Sequence, residues 1–445
     1  TEIYTLSLHD ALPIWWRTNA VNLNLNRDFM KAETLEMQNW LILFNKWLPH
    51  LVIDCHTTDG ADYQYPLTYS LELNGNMDKG LSDWCRSSFV PFLEKRMDEA
   101  EMPIFPYVVF REWHNPQSGL QSWASPPMLS TGYIAVQNRI GLLIETHMLK
   151  KYETRVDATY RMIFSALEFV GQNHSEIVRL CAIADSEIVS GKLRNSFFPL
   201  RFEMTNDSNI VDFKGKKYYF EISDLTGGKW FHYTDTNQNY KIPYWNILRA
   251  SETSHLPYAY IVPVEFSQMV EPKLRFHGVQ FEKLEVIKNL EVESYYFKNV
   301  QLAGYSSEGR QKVKYFEMEK VQEQRQYLPG SLLVKVNQRA GRLVAHFFEP
   351  KGPDSFLSWG YFNSIFEQVE YGETYIMEKL ARQMLEKDTV LKREFEYRMK
   401  NDKRFASDQW TILNWFYNQS VYRDQHLNLY PIGMVDSITY SMNFK

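Results

Sequence analysis

The chain is poor in the features that would place it quickly. It holds only three cysteines (Cys55, Cys85 and Cys181) in 445 residues, with no CxxC pair. That odd, low count excludes a disulfide framework and reads most simply as buried small apolar side chains. Charge of one sign is lacking too: 49 basic side chains stand against 54 acidic ones, for a formal net charge of -5 and no long run of either sign. Nucleic acid is therefore not an expected partner. No apolar stretch is long enough to cross a bilayer, because the best candidate, "WLILFNKWLPHLVIDC", is cut by Asn45, Lys46 and Pro49. Low-complexity segments and internal repeats are also absent. The first residue is Thr1, and no basic-then-apolar leader follows it. Residues 1–14, "TEIYTLSLHDALPI", resemble a translated sequencing adapter, so they are expected to be a non-native leader, with native sequence beginning near Trp15.

What is present suits a packed globular protein. Hydrophobic residues make up 44% of the chain and aromatics 15%, ample for a core, and the length favours more than one domain. From Glu33 to Trp47 apolar residues recur at helical spacing and Pro49 ends the segment. "LVIDCH" (51–56) is a short apolar run with β-branched residues that empties into the polar loop "TTDGADY", the pattern of a buried strand. A helix is predicted over 76–99, a strand over 104–110, a second buried strand at "GLLIETH" (141–147), and a long helix from Tyr152 to about Val189. Strands alternating with helices imply an α/β fold with a mixed, mostly parallel sheet flanked by helices. In such sheets ligands gather beyond the strand ends, which is where His56 and Glu145 fall.

Beyond residue 200 the character changes. Short alternating runs such as "KYYFEI", "YAYIVPV", "KLEVI", "KVKYFEM" and "GSLLVKV" predict a mostly β region over 200–350. "EGRQKVKYFEMEKVQEQRQ" reads as a solvated edge strand. A helical segment over 351–445 is expected to start with Asp354 or Ser355 as N-cap and to pack on the β region. The expected organisation is thus a leader (1–14), an α/β catalytic domain (15–190), a β accessory domain (200–350) and a helical C-terminal segment (351–445).

The stretch "VNLNLNRDF" sets Asn26 beside Arg27. A free peptide C-terminus is a planar anion that a guanidinium fork satisfies bidentately while a neighbouring amide adds a donor. In company with "WWRT" before it and "VIDCHTTDG" and "GLLIETH" after it, this segment resembles the zinc carboxypeptidase family typified by carboxypeptidase A, over roughly Trp15 to Tyr160. The resemblance implies a carboxypeptidase-like fold that cleaves the C-terminal residue from peptides bearing a free terminal carboxylate. It makes Asn26 and Arg27 the clamp on that carboxylate and Arg17 the group that polarises the scissile carbonyl and stabilises the oxyanion. His56 becomes a ligand of the single zinc ion, and Glu145 the base that deprotonates the attacking water and passes the proton to the leaving amine. Tyr133, in "STGYIAVQNR", resembles the family's substrate-binding tyrosine, with a core tyrosine as the competing reading. His147 shares a strand face with Glu145 and is placed to orient it. The resemblance also implies export, to the periplasm or outside the cell.

The family draws its other two zinc ligands from an HxxE motif upstream of the arginine, and none precedes Arg17 here: three residues after His9 stands Leu12. The chain's one HxxE, "HFFE" from His346 to Glu349, falls in an apparent strand, where that spacing puts the two side chains on opposite faces. The expectation is an N-terminally truncated chain that binds zinc poorly and is inactive as it stands. Two other functions stay open: a metal-dependent amidase or deacylase on the same scaffold, and a non-catalytic protein that grips peptide termini through Arg27.

Overall fold

A computed structural model describes residues 17–444; the expected leader and Trp15 lie outside them. The first long helix, Leu35–Trp47, starts where Thr34 accepts a hydrogen bond from the Met37 N–H. The buried Asp28 carboxylate fixes that cap by accepting from the Glu33 and Thr34 N–H groups and the Thr34 hydroxyl. Leu48 closes the helix in the left-handed region, and the chain turns into strand β1 (Leu51–Thr58).

After β1 come β2 (Leu67–Ser70), β3 (Ile104–Pro106), the two-residue β4 (Leu120–Gln121) and β5 (Ile140–His147). The first sheet has the order β1-β5-β2-β3. Pairs β1–β5 and β2–β3 run parallel, whereas β5–β2 is antiparallel. The α/β class therefore holds, in a small mixed sheet in which two of the three strand pairings are parallel. β5 lies inside the sheet and is buried along nearly its whole length, as its unbroken apolar run requires. Helix Tyr152–Val189 covers the sheet through Ala158, Met162, Ala166 and Phe169. The segment expected as one helix over 76–99 is two, Lys79–Trp84 and Val90–Glu99, joined by a π-helical turn at Cys85–Phe89. Pro91, one residue past Val90 in the following turn, lacks an N–H to continue the ladder, and its ring crowds the preceding turn, which accounts for the widened geometry. Cys85 and Cys181 are buried, but Cys55 is exposed, contrary to expectation.

The second half is β-rich, as its alternation predicts. β6 (Phe198–Met204) pairs with β9 (Leu248–Ser254), and the long hairpin β7 (Asn209–Ile222) and β8 (Lys229–Trp245) carries β4 at its base. A six-stranded sheet contains β10 (Ala259–Val262), β11 (Glu282–Lys283), β12 (Lys288–Leu302), β13 (Val313–Tyr327), β14 (Leu332–Lys335) and β15 (Gly433–Val435), in the order β11-β14-β10-β15-β12-β13. β13 is an edge strand, matching the charge alternation of its sequence. Two helices interrupt the region read as mostly β, Val264–Phe276 and Gly341–Phe348. The C-terminal segment departs further from expectation. Asp354 and Ser355 cap no helix; turns and a short 3-10 segment (Asn363–Phe366) fill the chain until helix Thr374–Lys387. Phe356, Leu357, Trp359 and Phe362 are instead driven into the main core, with Gly360 in the left-handed region between them. That core joins Phe29, Phe44 and Tyr133 to Tyr260, Phe347, Phe356 and Tyr430, so the two halves share one apolar interior.

Candidate functional site

Parallel pairing of β1 with β5 makes His56 and Glu145 register partners at adjoining strand ends. Asp54, two residues before His56 and on the same strand face, brings Oδ2 within 2.9 Å of His56 Nε2. His56 Nδ1 faces Glu145 Oε1 at 3.9 Å. The hydrogen bond to Asp54 raises the imidazole's pKa against the opposing effect of burial. Glu145 is only 7% exposed, and burial pushes its carboxyl up to about 7, with His56 and Arg17 pulling the other way. Its Oε2 has no hydrogen-bond partner among the described residues. A carboxylate poised near neutrality with one free oxygen is suited to moving a proton to and from water.

Asn26 and Arg27 sit in a 3-10 turn (Leu25–Arg27) capped by Asn24, whose side chain accepts from the Asn26 N–H. The Ser130 N–H donates to Asn26 Oδ1 at 3.2 Å, which fixes the amide orientation and leaves its NH2 as donor. Arg27 donates one hydrogen bond, 2.8 Å, to the Asn26 carbonyl, and the rest of its fork has no partner among the described residues. Arg17 reaches Asp59 Oδ2 at 3.3 Å with more than half of each side chain exposed. All five, Arg17, Asn26, Arg27, His56 and Glu145, line one cleft of about 390 Å³. Segments 119 residues apart along the chain therefore converge, counting from Asn26 to Glu145.

Tyr133 does not join them. It is fully buried in helix Ser130–Val136, its hydroxyl held by His277 Nδ1 at 2.9 Å and by the Gln137 amide, so the core reading of this residue replaces the substrate-binding one. The tyrosine on the cleft is Tyr107, hydrogen-bonded to Thr58 Oγ1 at 3.1 Å and set edge-on to Trp123, which also lines the cleft. Sequence reasoning passed over Tyr107 because "IFPYVVF" reads as core; the short length of β3 puts Tyr107 beyond the strand, where a side chain is free to face a ligand. His147 does not contact Glu145: its Nδ1 accepts from the Leu149 N–H and its ring packs on Tyr63.

The residues present do not make a zinc site by themselves. Among the described residues no group of three or more His, Cys, Asp and Glu is placed to hold a metal ion, and both nitrogens of the one imidazole in the cleft face carboxylates of the same strand pair. The "HFFE" motif is no substitute, though for another reason than the one expected. It lies on helix Gly341–Phe348 and its C-cap rather than on a strand. There His346 is buried with neither ring nitrogen hydrogen-bonded, and Glu349 is taken up by the hydroxyls of Ser254, Tyr260 and Tyr295.

The chain is 24% identical over 366 residues to a protein named Carboxypeptidase 2 from Trichophyton rubrum, the alignment covering 79% of this chain and 64% of that protein. Proteins of the same name from Trichophyton tonsurans and Trichophyton equinum are also 24% identical, over 368 residues, with the same coverage. The chain thus spans 64% of the length of these relatives. No family model matches it, and no solved structure does. No helix among the described residues is long and apolar enough to cross a membrane.

Proposed function

We propose that this chain is a carboxypeptidase-type peptidase of the zinc family, built to remove the C-terminal residue of a peptide with a free terminal carboxylate. The likeness to proteins named carboxypeptidase supports the peptidase reading. The finer assignment rests on the convergence of Arg17, Asn26, Arg27, His56 and Glu145 in one cleft, an arrangement that dispersed surface residues would have no reason to reach.

In this reading the free N–H groups of Arg27 and the Asn26 NH2 clamp the carboxylate, which positions the last peptide bond. Arg17 supplies fixed positive charge where the carbonyl oxygen becomes anionic. Glu145 takes a proton from the attacking water and returns it to the leaving nitrogen as the C–N bond breaks, so the water oxygen ends in the new carboxylate. Zinc, where bound, would polarise the carbonyl and acidify the water, with His56 as a ligand. Because the described residues offer that imidazole no companion ligands, this polypeptide holds zinc weakly. An exported location belongs to the same proposal and rests on the family resemblance alone.

The test is to mix the purified chain, with and without added zinc, with matched peptides ending in a free carboxylate or an amide. Binding is expected for the acid and at least tenfold weaker for the amide, and any cleavage, read by mass spectrometry, should release single C-terminal residues. Equal binding of acid and amide would overturn the clamp, and cleavage of blocked termini would favour an amidase or deacylase. A non-catalytic terminus-binding protein is the second reading, favoured by the lone imidazole; it predicts acid-selective binding with no turnover at any zinc concentration.

A further inference from the structure

A second cavity among the described residues, about 700 Å³, is larger than the cleft just described. It lies among helix Lys79–Trp84, the end of helix Tyr152–Val189, the turn leading into β6, and the first turn of helix Gly341–Phe348, and it shares no residue with the cleft. Four cations and three carboxylates border it: Lys79, Arg86, Lys192 and Arg342 against Asp78, Asp83 and Glu187. Most of these neutralise one another. Lys79 pairs with Asp83, and Lys192 pairs with Glu187 at 2.6 Å. Asp78 is engaged in capping, accepting from the Leu81 N–H at 3.1 Å.

The two arginines are left over. Arg86 is held only by neutral acceptors, the Leu73 carbonyl at 2.6 Å and Asn74 Oδ1 at 2.9 Å. Arg342 has less: one long hydrogen bond of 3.5 Å to the Asn76 carbonyl, a buried Nε with no partner, and the ring of Phe198 at 6.0 Å. Among the described residues no carboxylate lies within ion-pair reach of either guanidinium. A guanidinium carries five donors, and leaving several unmet in a half-buried wall costs free energy unless something in the cavity accepts from them. A planar or tetrahedral oxyanion fits that demand, because it accepts two parallel bonds from one fork and cancels the excess charge.

We propose that this cavity is a binding site for a small oxyanion, a carboxylate or phosphate compound, gripped by Arg342 and steadied by Arg86. The site is independent of the hydrolytic cleft and stands whether or not the chain cleaves peptides. It is tested by calorimetry and thermal melting of the purified protein with inorganic phosphate and, separately, citrate, against sodium chloride at matched ionic strength. Saturable one-to-one binding of at least one probe is expected, and the more effective probe identifies the ligand class. Arg342→Met should weaken that binding at least tenfold. Should that variant fold poorly, Arg86→Gln, at an exposed side chain, should weaken it measurably while melting like the parent. Arg27→Met, which removes the guanidinium of the other cleft, should leave it unchanged. No saturable binding of either probe, binding that survives both Arg342→Met and Arg86→Gln, or binding lost in Arg27→Met would each overturn the proposal.

Discussion

Glu145 Oε1 lies 3.9 Å from His56 Nδ1 across a parallel strand pair in which the two residues are direct register partners. Register in a buried sheet cannot slip by one residue without turning both side chains to the other face, so the pairing is a fixed property of the fold. A variant that alters only the carboxylate therefore isolates its chemistry. Glu145→Gln is expected to lower any hydrolysis measured with added zinc by roughly 10²- to 10⁴-fold, while the dissociation constant for a free-carboxylate peptide stays within about threefold. Loss of binding on the same scale as loss of rate would show that Glu145 shapes the cleft rather than moves a proton.

Arg27 should carry recognition. Charge-assisted hydrogen bonds contribute about 1.5–3 kcal/mol, so Arg27→Met is expected to weaken binding of a peptide acid by roughly 10- to 150-fold. The corresponding amide should bind the parent and the variant alike. Calorimetry with the two peptides checks this, and an equal loss for both would move the anion clamp elsewhere.

Zinc content gives a third check. With one imidazole in the cleft, protein purified without chelator and dialysed is expected to hold far less than one equivalent of zinc by elemental analysis, and His56→Ala should change that value little. A full, tightly held equivalent would require ligands beyond the described arrangement.

The fourth prediction concerns stability and acid. Glu33 receives Lys273 at 3.3 Å, Arg310 at 2.8 Å and the Tyr361 hydroxyl. Burial alone would raise its pKa, but the charge of Lys273, the Tyr361 hydroxyl and Arg310 outweigh that and hold it to about 2. A depressed carboxylate stabilises the fold in full above its ordinary value of 4.5, and that contribution is lost as the pH falls toward 2. Glu33→Gln is expected to cost roughly 2–3 kcal/mol at pH 7, and the gap from the parent in urea melts should close progressively below pH 4.5. A gap independent of pH would assign the effect to packing.

Gly132 offers a fifth. A Cβ there would stand 2.3 Å from the Pro126 carbonyl oxygen and 2.4 Å from that of Ser125, and backbone cannot swing aside as a long side chain can. Ser125 lines the cleft. Gly132→Ala is expected to destabilise the protein by about 1–3 kcal/mol and to weaken peptide-acid binding as the Ser125–Leu129 turn is displaced. Unchanged melting would mean that the turn yields freely.

The site was more legible in the sequence than the architecture around it. β1, β5 and helix Tyr152–Val189 follow from periodicity, and His56 and Glu145 stand near the ends of β1 and β5 that those patterns mark, whereas Asn26 and Arg27 lie in a 3-10 turn that no periodicity marks. Tyr133 was misplaced because a tyrosine in "STGY" carries no signal of whether its hydroxyl meets a ligand or, as here, a buried histidine 144 residues away. "HFFE" read as a strand because aromatic residues favour strands, yet Gly341 packs against the Val336 carbonyl and Ile188 closely enough to seat a buried helix. The aromatics after Asp354 imitate helical spacing, but burial in a core shared by both halves decided their conformation.

β15 is three residues long and comes from near position 434, yet it sits between β10 and β12 in the middle of the six-stranded sheet. A ribosome makes that piece more than a hundred residues after β12, whose last residue is Leu302. Until it emerges, β10 and β12 each present a bare hydrogen-bonding edge to whatever else is in solution. Assembly of this half must therefore wait until β15 itself has been made, and a ribosome that stalls anywhere short of it releases a product prone to stick to its own kind.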